Sequence, residues 1–448
     1  MAFLITNLLN AQFGSKQLIS ETGGFEVFTF DLDGDGDQDV LEAGFYDISW
    51  YENVDGLGDF SSQLLISSQN DWDAVYAGDI DGDGDLDIVG VALMWQKPIN
   101  ISKVAWFENL DGLGNFGAEQ LIDYDENFLI LGGVITVDID NDGDLDILSG
   151  SFSDISWYEN MNGLGQFSER QIITTDVSRV TDLSVVDIDE DGDLDIISCS
   201  THVNQLTWYE NLDGLGNFGV QQIIATNIGE ALSIYISDLN GDGYKDVLVA
   251  TSESSEVSWF ENTDGLGDFG QQQIIYSLEH RGNKVLARDI DNDGDMDVLS
   301  GSYDPPFGLG TIAWYENIDG QGTFGTQQII SQEENFGYTF FASDLDNDSD
   351  IDIVGASTAQ VGWLENLTPL SINGNSKLDF SIYPNPVNDY LYFKNVSDNK
   401  KVSIYDISGR LIKSVKLSEV EKIDVCNLQS GTYILRVDNK ESVVLIKE

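Results

Sequence analysis

The sequence predicts an all-β protein: a seven-bladed β-propeller closed by its N-terminal strand, followed by a small C-terminal β-sandwich. Three observations lead to this prediction. An aspartate-rich stretch recurs seven times at intervals of about 50 residues, a tryptophan motif follows each copy, and the end of the chain has a different charge balance. Forty-five glycines against six prolines also indicate many tight turns.

The repeat consists of three markers in a fixed order. The second copy of the first marker reads DIDGDGDLD, and the second marker reads W-Y/F-E-N in most copies. A glycine-rich turn, DGLGxFG or a close variant, follows in the first six copies and leads into a Gln-Leu/Ile-Ile segment. The aspartate stretches begin at Asp31, Asp79, Asp138, Asp187, Asp238, Asp289 and Asp344, and the motif tryptophans are Trp50, Trp106, Trp157, Trp208, Trp259, Trp314 and Trp363.

Each unit has the pattern of four short strands. In the second unit these are AVYAGDI, LDIVGVAL, KVAWFEN and EQLIDY, with the aspartate loop between the first two and the glycine-rich turn between the last two. Four-stranded units of this length, repeated seven times, are typical of a β-propeller. A right-handed solenoid is the alternative, but β-helix repeats are much shorter. The motif tryptophans, present in every unit, are expected to pack the blades together.

The two ends of the repeat region complement each other. The last unit stops at Asn366 without a fourth strand, and FGSKQLIS from Phe13 matches the fourth-strand segment FGAEQLID from Phe116. We therefore expect the chain start to supply the outermost strand of the last blade, which removes an open sheet edge. The predicted boundaries are 1–366 for the propeller, 367–378 for a linker and 379–448 for the C-terminal domain.

The net charge of −59 is concentrated in the repeat region. Of 20 basic and 79 acidic residues, residues 371–448 hold 11 and 10, which leaves 9 and 69 for the rest. Such an acidic surface repels nucleic acid and anionic lipid and attracts cations. Since the chain also contains no run of 18 apolar residues, we expect no nucleic-acid partner and no membrane span.

The aspartate stretch has the chemistry of a calcium loop. Hard oxygen ligands at alternate positions can converge on one ion where a glycine permits a sharp turn. We expect side-chain ligands at positions one, three, five and nine, with the backbone carbonyl at position seven. Magnesium fits less well because it keeps its waters, and zinc would need histidine or cysteine. The alternative for any single copy is a solvated acidic turn without metal.

Seven calcium sites are therefore predicted, with structural rather than catalytic roles. The seventh is expected to be the weakest, since Ser349 stands where the other loops have glycine. The predicted ligands are Asp31, Asp33, Asp35, Asp37 and Asp39; Asp79, Asp81, Asp83, Asp85 and Asp87; Asp138, Asp140, Asp142, Asp144 and Asp146; Asp187, Asp189, Asp191, Asp193 and Asp195; Asp238, Asn240, Asp242, Tyr244 and Asp246; Asp289, Asp291, Asp293, Asp295 and Asp297; and Asp344, Asp346, Asp348, Asp350 and Asp352.

Aromatic residues in the longer connections suggest a ligand surface. In a propeller these connections emerge on the face opposite the aspartate loops, and aromatic rings beside polar side chains suit sugar recognition. The predicted ligand residues are Trp72, Trp95, Tyr303 and Phe307. The alternative is that these rings cap the core under longer loops.

The repeats, with DxDGDGDxDI and FG, resemble FG-GAP/VCBS repeats, which are similar to the calcium-binding blades of integrin α subunits. The resemblance covers roughly residues 1–368. It implies calcium loops on one face and a ligand on the opposite face, but no single function, because the family includes adhesins, lectins and non-catalytic modules of enzymes.

The end of the chain resembles the C-terminal sorting domain of type IX secretion substrates from Bacteroidetes. The segments that carry this resemblance are FSIYPNPVNDYLYF from Phe380, VSIYDISGRLIKS from Val402 and LQSGTYILRV from Leu428. It implies recognition by the type IX machinery and a secreted or surface-attached protein. An ordinary immunoglobulin-like domain is the alternative. The first residues lack a basic segment and a cleavage site, so no intact signal peptide is predicted.

We expect a secreted, calcium-binding module for adhesion or ligand binding, with a glycan or an extracellular protein as the ligand. A carbohydrate-active enzyme on a propeller scaffold and a purely structural scaffold are the alternatives. No nucleophile, zinc or phosphate-loop motif is present, so no catalytic residue is assigned.

Overall fold

The computed structural model describes residues 13–367 apart from 45, 69–70, 97–98, 126–129, 305–307 and 335. In the C-terminal region it describes 381–383, 386–388, 390–394, 400–406, 411–417, 422–428, 431–437 and 441–447. All regular secondary structure in these residues is β-strand. Accordingly, the described part of the chain contains no helix suited to crossing a membrane.

The repeat region forms seven four-stranded antiparallel sheets. Its strands, in chain order, are β1 (Gln17–Ser20); β2 (Glu26–Phe30), β3 (Asp39–Ala43), β4 (Ile48–Tyr51) and β5 (Leu64–Ser67); β6 (Asp71–Gly78), β7 (Asp87–Gln96), β8 (Ile99–Phe107) and β9 (Gln120–Asp125); β10 (Ile130–Val137), β11 (Asp146–Ser151), β12 (Ile155–Tyr158) and β13 (Gln171–Thr174); β14 (Val180–Val186), β15 (Asp195–Ser200), β16 (Gln205–Tyr209) and β17 (Gln222–Thr226); β18 (Ala231–Ser237), β19 (Asp246–Thr251), β20 (Glu256–Phe260) and β21 (Gln273–Ser277); β22 (Arg281–Arg288), β23 (Asp297–Asp304), β24 (Leu309–Tyr315) and β25 (Gln328–Glu334); and β26 (Thr339–Ser343), β27 (Asp352–Ser357) and β28 (Gln360–Leu364).

In six of the seven sheets the strands follow chain order, as the four-strand pattern predicts, and in the seventh β1 lies next to β28. The second and third strands are mostly buried where their burial is described, for example β19 throughout and β20 apart from Glu256, because neighbouring sheets cover both faces. The fourth strands are partly exposed and carry glutamine beside isoleucine, as in β17. A polar, half-exposed edge of this kind discourages pairing with another chain.

The first strands of the seven sheets contact one another in succession. β2 contacts β6, β6 contacts β10, and the series continues through β14, β18, β22 and β26 back to β2. Strand β1 pairs with β28 and is the outermost strand of the sheet β1-β28-β27-β26. Gln17 lies opposite Trp363, and Phe13 forms a further bridge to Asn366. The first and last segments of the repeat region thus share one sheet.

The motif tryptophans connect neighbouring sheets, as expected. All seven are at most 5 % exposed. The Trp50 ring lies against Gly114 of the next unit, and a Cβ on that glycine would lie 2.2 Å from the Trp50 Cζ2 atom. Trp363 of the last unit meets Gly58 of the first unit in the same way. The glycine-rich turn is therefore required for inter-sheet packing as well as for its own bend.

The C-terminal region contains two further antiparallel sheets. One has the order β29 (Ser381–Tyr383), β30 (Tyr390–Lys394), β33 (Lys422–Asp424), and the other has the order β32 (Leu411–Leu417), β31 (Lys400–Asp406), β34 (Gly431–Val437), β35 (Glu441–Lys447). Leu391 and Ile423 of the first sheet share a core with Val402, Leu435 and Leu445 of the second. This arrangement fits the predicted small β-sandwich.

Candidate metal centre

Each aspartate loop connects the first strand of a sheet to the second, and its ninth position is the first residue of that second strand. The glycine at position six has φ between 96° and 101° in the first six loops. A Cβ there would meet nothing within 4 Å, so glycine is needed for backbone conformation rather than for space. Its N–H donates to the carboxylate at position one, for example Gly84 to Asp79 at 3.1 Å, which closes the loop.

The loops bring carboxylates together in the way that a cation site requires. In five loops, oxygens of the aspartates at positions one, three and nine lie within 4.8 Å of one another. These clusters are Asp31, Asp33 and Asp39; Asp79, Asp81 and Asp87; Asp138, Asp140 and Asp146; Asp187, Asp189 and Asp195; and Asp289, Asp291 and Asp297. Like charges this close repel one another, so a bound cation would relieve the repulsion.

Several of these carboxylates have a buried oxygen without a hydrogen-bond partner. Buried acceptors without a donor are rare in folded proteins because desolvation is costly. These oxygens occur at positions one and three, and therefore fit a metal ion at the loop centre. They are the Oδ1 atoms of Asp31, Asp79, Asp81, Asp140, Asp187, Asp189 and Asp291.

The aspartate at position nine also stabilises the loop itself. In the first unit, Asp39 Oδ2 accepts a hydrogen bond from the Leu32 N–H at 2.9 Å, and Asp39 Oδ1 accepts one from the Asn53 N–H at 2.8 Å. Burial nevertheless raises the pKa of Asp39 to about 7. Burial likewise raises the pKa of Asp33, with Asp35 as the next contribution. A nearby cation would therefore favour the ionised forms of these carboxyls.

The side chains at positions five and seven are arranged differently in the loop from those at positions one, three and nine. Asp35 Oδ1 accepts a hydrogen bond from the Asp37 N–H at 3.0 Å, which folds position five back over the loop. The five carboxylate clusters do not include position five. The side chain at position seven lies against the glycine-rich turn, as Asp37 does at Gly56. This leaves the backbone carbonyl of position seven as its predicted ligand.

The fifth and seventh loops depart from this pattern. In the fifth, Asn240 replaces a carboxylate, and its Nδ2 donates to Asp242 at 3.0 Å. In the seventh, Ser349 adopts φ 76°, a conformation that favours glycine. Burial raises the pKa values of Asp346 and Asp352 in that loop.

The seventh loop also contacts the C-terminal region. The buried Arg436 guanidinium on β34 donates from Nη1 to the Asp348 carbonyl at 3.2 Å and lies 3.3 Å from Asp348 Oδ2. Its Nη2 lies 3.6 Å from Asp350 Oδ2. A protein cation thus sits beside this loop, which supports the prediction that it is the weakest metal site.

Two residues of the W-x-E-N motif lie beside these loops, and the sequence pattern had not assigned them a role. The asparagine side chain reaches the loop of the preceding unit: Asn109 Nδ2 donates to the Leu32 carbonyl at 2.9 Å. The glutamate lies near position three, since Glu108 raises the pKa of Asp81 as a lesser contribution after burial. The available signal was the strict repetition of both residues beside each tryptophan.

The predicted ligand aromatics do not form one group among the described residues. Trp72 is fully buried and packs edge-on against Phe107 with ring centroids 5.5 Å apart, so its assignment to a ligand surface is wrong. It is a core residue, as the capping alternative predicted. Tyr303 is partly exposed and contacts Tyr338 edge-on at 5.3 Å. Phe307 and the side chain of Trp95 lie outside the described residues.

The fold and its acidic loops define the class: an all-β protein built from repeated four-stranded sheets, each with one candidate cation loop. The chain belongs to the FG-GAP-like repeat family, because the sequence model of that family matches residues 31–90, 138–198, 187–249, 238–300 and 289–355. Residues 381–447 match the secretion system C-terminal sorting domain. That domain implies an extracellular or cell-surface protein that interacts with the secretion machinery.

Comparison with other proteins adds structural similarities. No curated protein matches the chain. One similar solved structure is described as PorZ, an essential bacterial surface component of the type-IX secretion system of Porphyromonas gingivalis. The similarity has a TM-score of 0.49 at 12 % identity and covers 95 % of this chain and 59 % of that chain.

Proposed function

We propose that the protein is a seven-bladed, calcium-stabilised β-propeller that serves as a binding or adhesion module at the cell surface. The proposed propeller comprises residues 1–366, with a linker at 367–378 and the sorting domain at 379–448. The seven sheets, the contacts among their first strands and the pairing of β1 with β28 support this architecture. The pairing would close the ring and remove an open sheet edge.

Calcium is the proposed ion because the donor set contains only oxygens. The orphaned, buried Oδ1 atoms at positions one and three are the observation that carries this proposal. A divalent cation there would compensate carboxylates whose pKa values burial raises, such as Asp87 to about 7. The repetition of the cluster in five loops supports a structural role, in which each ion would hold the first two strands of its sheet.

A glycan is the proposed class of ligand. The acidic surface disfavours nucleic acid and anionic membranes, and the sorting domain directs the protein to the outside of the cell. The edge-on pair of Tyr303 and Tyr338 provides partly exposed ring surface beside polar residues on the side of the sheets away from the aspartate loops. Ring faces of this kind can stack on the apolar faces of sugars.

A glycan array tests this function directly. The labelled full chain should bind a restricted set of glycans in calcium and lose that binding after chelation. Tyr303→Ala should weaken binding, whereas Tyr383→Ala, which removes an exposed ring from the C-terminal region, should not. Absence of glycan binding in calcium would favour a scaffold, and release of shortened glycans would favour an enzyme.

A further inference from the structure

A two-part cavity lies where the first strands of the seven sheets meet. Its two parts have volumes of about 270 Å³ and 360 Å³. Glu26, Asp182, Lys284 and Gly133 belong to the walls of both parts and therefore mark the boundary between them. The smaller part is lined by the starts of the strands, and the aspartate loops follow the strand ends. The smaller part is thus separate from the candidate metal sites, whereas the larger part extends along the strands to Val137 and Arg288, one residue before Asp138 and Asp289.

The smaller part, which we call the acidic chamber, contains an excess of carboxylates. Glu26, Asp73 and Asp182 line it, and Lys284 is the one basic side chain among its wall residues. Lys284 lowers the pKa values of Glu26 and Asp182, but burial raises both by more, and Glu26 reaches about 7. One ammonium group therefore does not compensate the acidic groups of this chamber.

The acidic chamber also contains acceptor atoms that no protein group satisfies. Asp73 Oδ2 and Asn283 Oδ1 are buried and have no hydrogen-bond partner. Both carboxylate oxygens of Asp182, in contrast, accept hydrogen bonds, from the Leu183 N–H at 2.9 Å and from the Ile234 N–H at 3.0 Å. A molecule that fills the chamber must donate hydrogen bonds to Asp73 and Asn283.

The larger part, which we call the aromatic chamber, has a different chemistry. Phe28, Tyr76, Tyr235 and Phe341 contribute rings to its wall. Arg288 is already engaged there: its guanidinium stacks on Tyr235 and Phe341, and it donates to the Ala342 carbonyl at 3.2 Å. Arg288 therefore does not compensate the carboxylates of the acidic chamber. The remaining ring surface suits an apolar or sugar-like skeleton.

We propose that this cavity binds a small primary amine carried on a compact neutral skeleton. The ammonium group would lie in the acidic chamber and donate to Asp73 and Asn283, and the skeleton would extend toward the aromatic chamber. An amino sugar and an alkylamine share this chemistry. The combined volume falls within the range of small-molecule sites. The proposal does not rest on the proposed calcium and glycan functions, and Tyr338 of the tyrosine pair also lines the acidic chamber.

Calorimetric titration of the full chain in calcium tests the proposal with three probes. Glucosamine and n-butylamine carry the amine, and glucose is the neutral counterpart of glucosamine. Binding of either amine, at least about tenfold tighter than glucose, is expected, because charge-assisted hydrogen bonds are the strong ones. Preference for glucosamine over butylamine would identify the sugar as the source of the amine. Equal affinity for glucosamine and glucose, or no heat with either amine, would overturn the proposal.

Two variants locate the binding. Asp73→Asn removes the charge but keeps the size of the side chain, and it should weaken amine binding about tenfold. Asp176→Asn, at an exposed position outside the cavity, should bind like the parent protein. Lys284→Met should be less stable than the parent and should regain melting temperature when butylamine is added. Amine binding that is unchanged in Asp73→Asn would place the amine elsewhere and refute this site.

Discussion

Removing calcium should lower the melting temperature of the repeat region by about 5–15 °C. Extracellular calcium modules bind with dissociation constants of roughly 10⁻⁴–10⁻³ M. At about 2 mM free calcium, each such site adds about 0.6–1.8 kcal/mol to the free energy of unfolding. The described residues contain six clusters of acidic groups that could hold an ion, which gives about 4–11 kcal/mol in total. For roughly 350 residues this corresponds to the stated shift, given about 2.1 cal/mol/K of unfolding entropy per residue.

Differential scanning calorimetry of the full chain in calcium, in magnesium and after chelation measures this effect. Magnesium should restore little of the lost stability, because it keeps its waters and demands octahedral geometry. Asp81→Asn, which changes one orphaned carboxylate, should reduce the calcium-dependent shift by about one site, roughly 1–2 °C. A melting temperature that is the same with calcium and with chelator would refute the reasoning, as would full recovery in magnesium.

Three further predictions concern the glycine-rich turns, the position-nine carboxyls and Arg436. Gly114→Ala should destabilise the protein by about 2–5 kcal/mol, because the new Cβ would meet Trp50 and the φ of Gly114 is 74°. Gly143→Ala, where the φ is 96° but the space is open, should cost only about 1–2 kcal/mol. Urea unfolding compares the two variants, and equal losses of stability would contradict the packing role. In metal-free buffer, the free energy of unfolding should fall as pH rises from 5 to 8. The reason is that burial raises the pKa values of the position-nine carboxyls from 3.8 to about 7 or 8 in the first six loops, so the native state binds more protons than the unfolded state. A melting temperature that stays constant or rises over this pH range would be inconsistent with those buried carboxyls. Arg436→Gln should raise the calcium affinity of the seventh loop, measured as an added site in terbium titration, whereas the exposed Lys416→Gln should not; an unchanged number of sites would show that Arg436 does not compete with metal.

Much of the fold could be predicted because every unit repeats the same pattern of strands, loop and turn. The spacing of loop, tryptophan and glycine turn predicted four strands per unit, and six of the seven sheets have these strands in chain order. The match between the segments after Phe13 and Phe116 predicted that the chain start adds a strand to the last unit, and β1 pairs with β28. The motif tryptophans were correctly placed in the core because a residue present in every unit serves packing.

The parts that depend on three-dimensional proximity could not be read from the pattern. Trp72 looked like a surface aromatic because it stands in a polar segment, but it lies at the start of β6 with Lys103 above its ring at 4.7 Å. The partnership of Asn109 with Leu32 joins residues of different units, and sequence spacing alone does not reveal it. The cavity residues Glu26, Asp73 and Lys284 come from different first strands and share no motif.

The asparagine bonds between units have a consequence for how the repeat region loses its structure. Asn53 of the first unit donates to the Leu345 carbonyl of the last at 2.8 Å, just as each later unit holds its predecessor. In the proposed closed ring, no repeat would be a terminal one from which fraying could start, unlike in linear arrays, whose end repeats open first. If the ring is closed as proposed, amide hydrogen exchange should be slowed to a similar extent in all seven units, and opening of any one unit should unfold the others in a single concerted event.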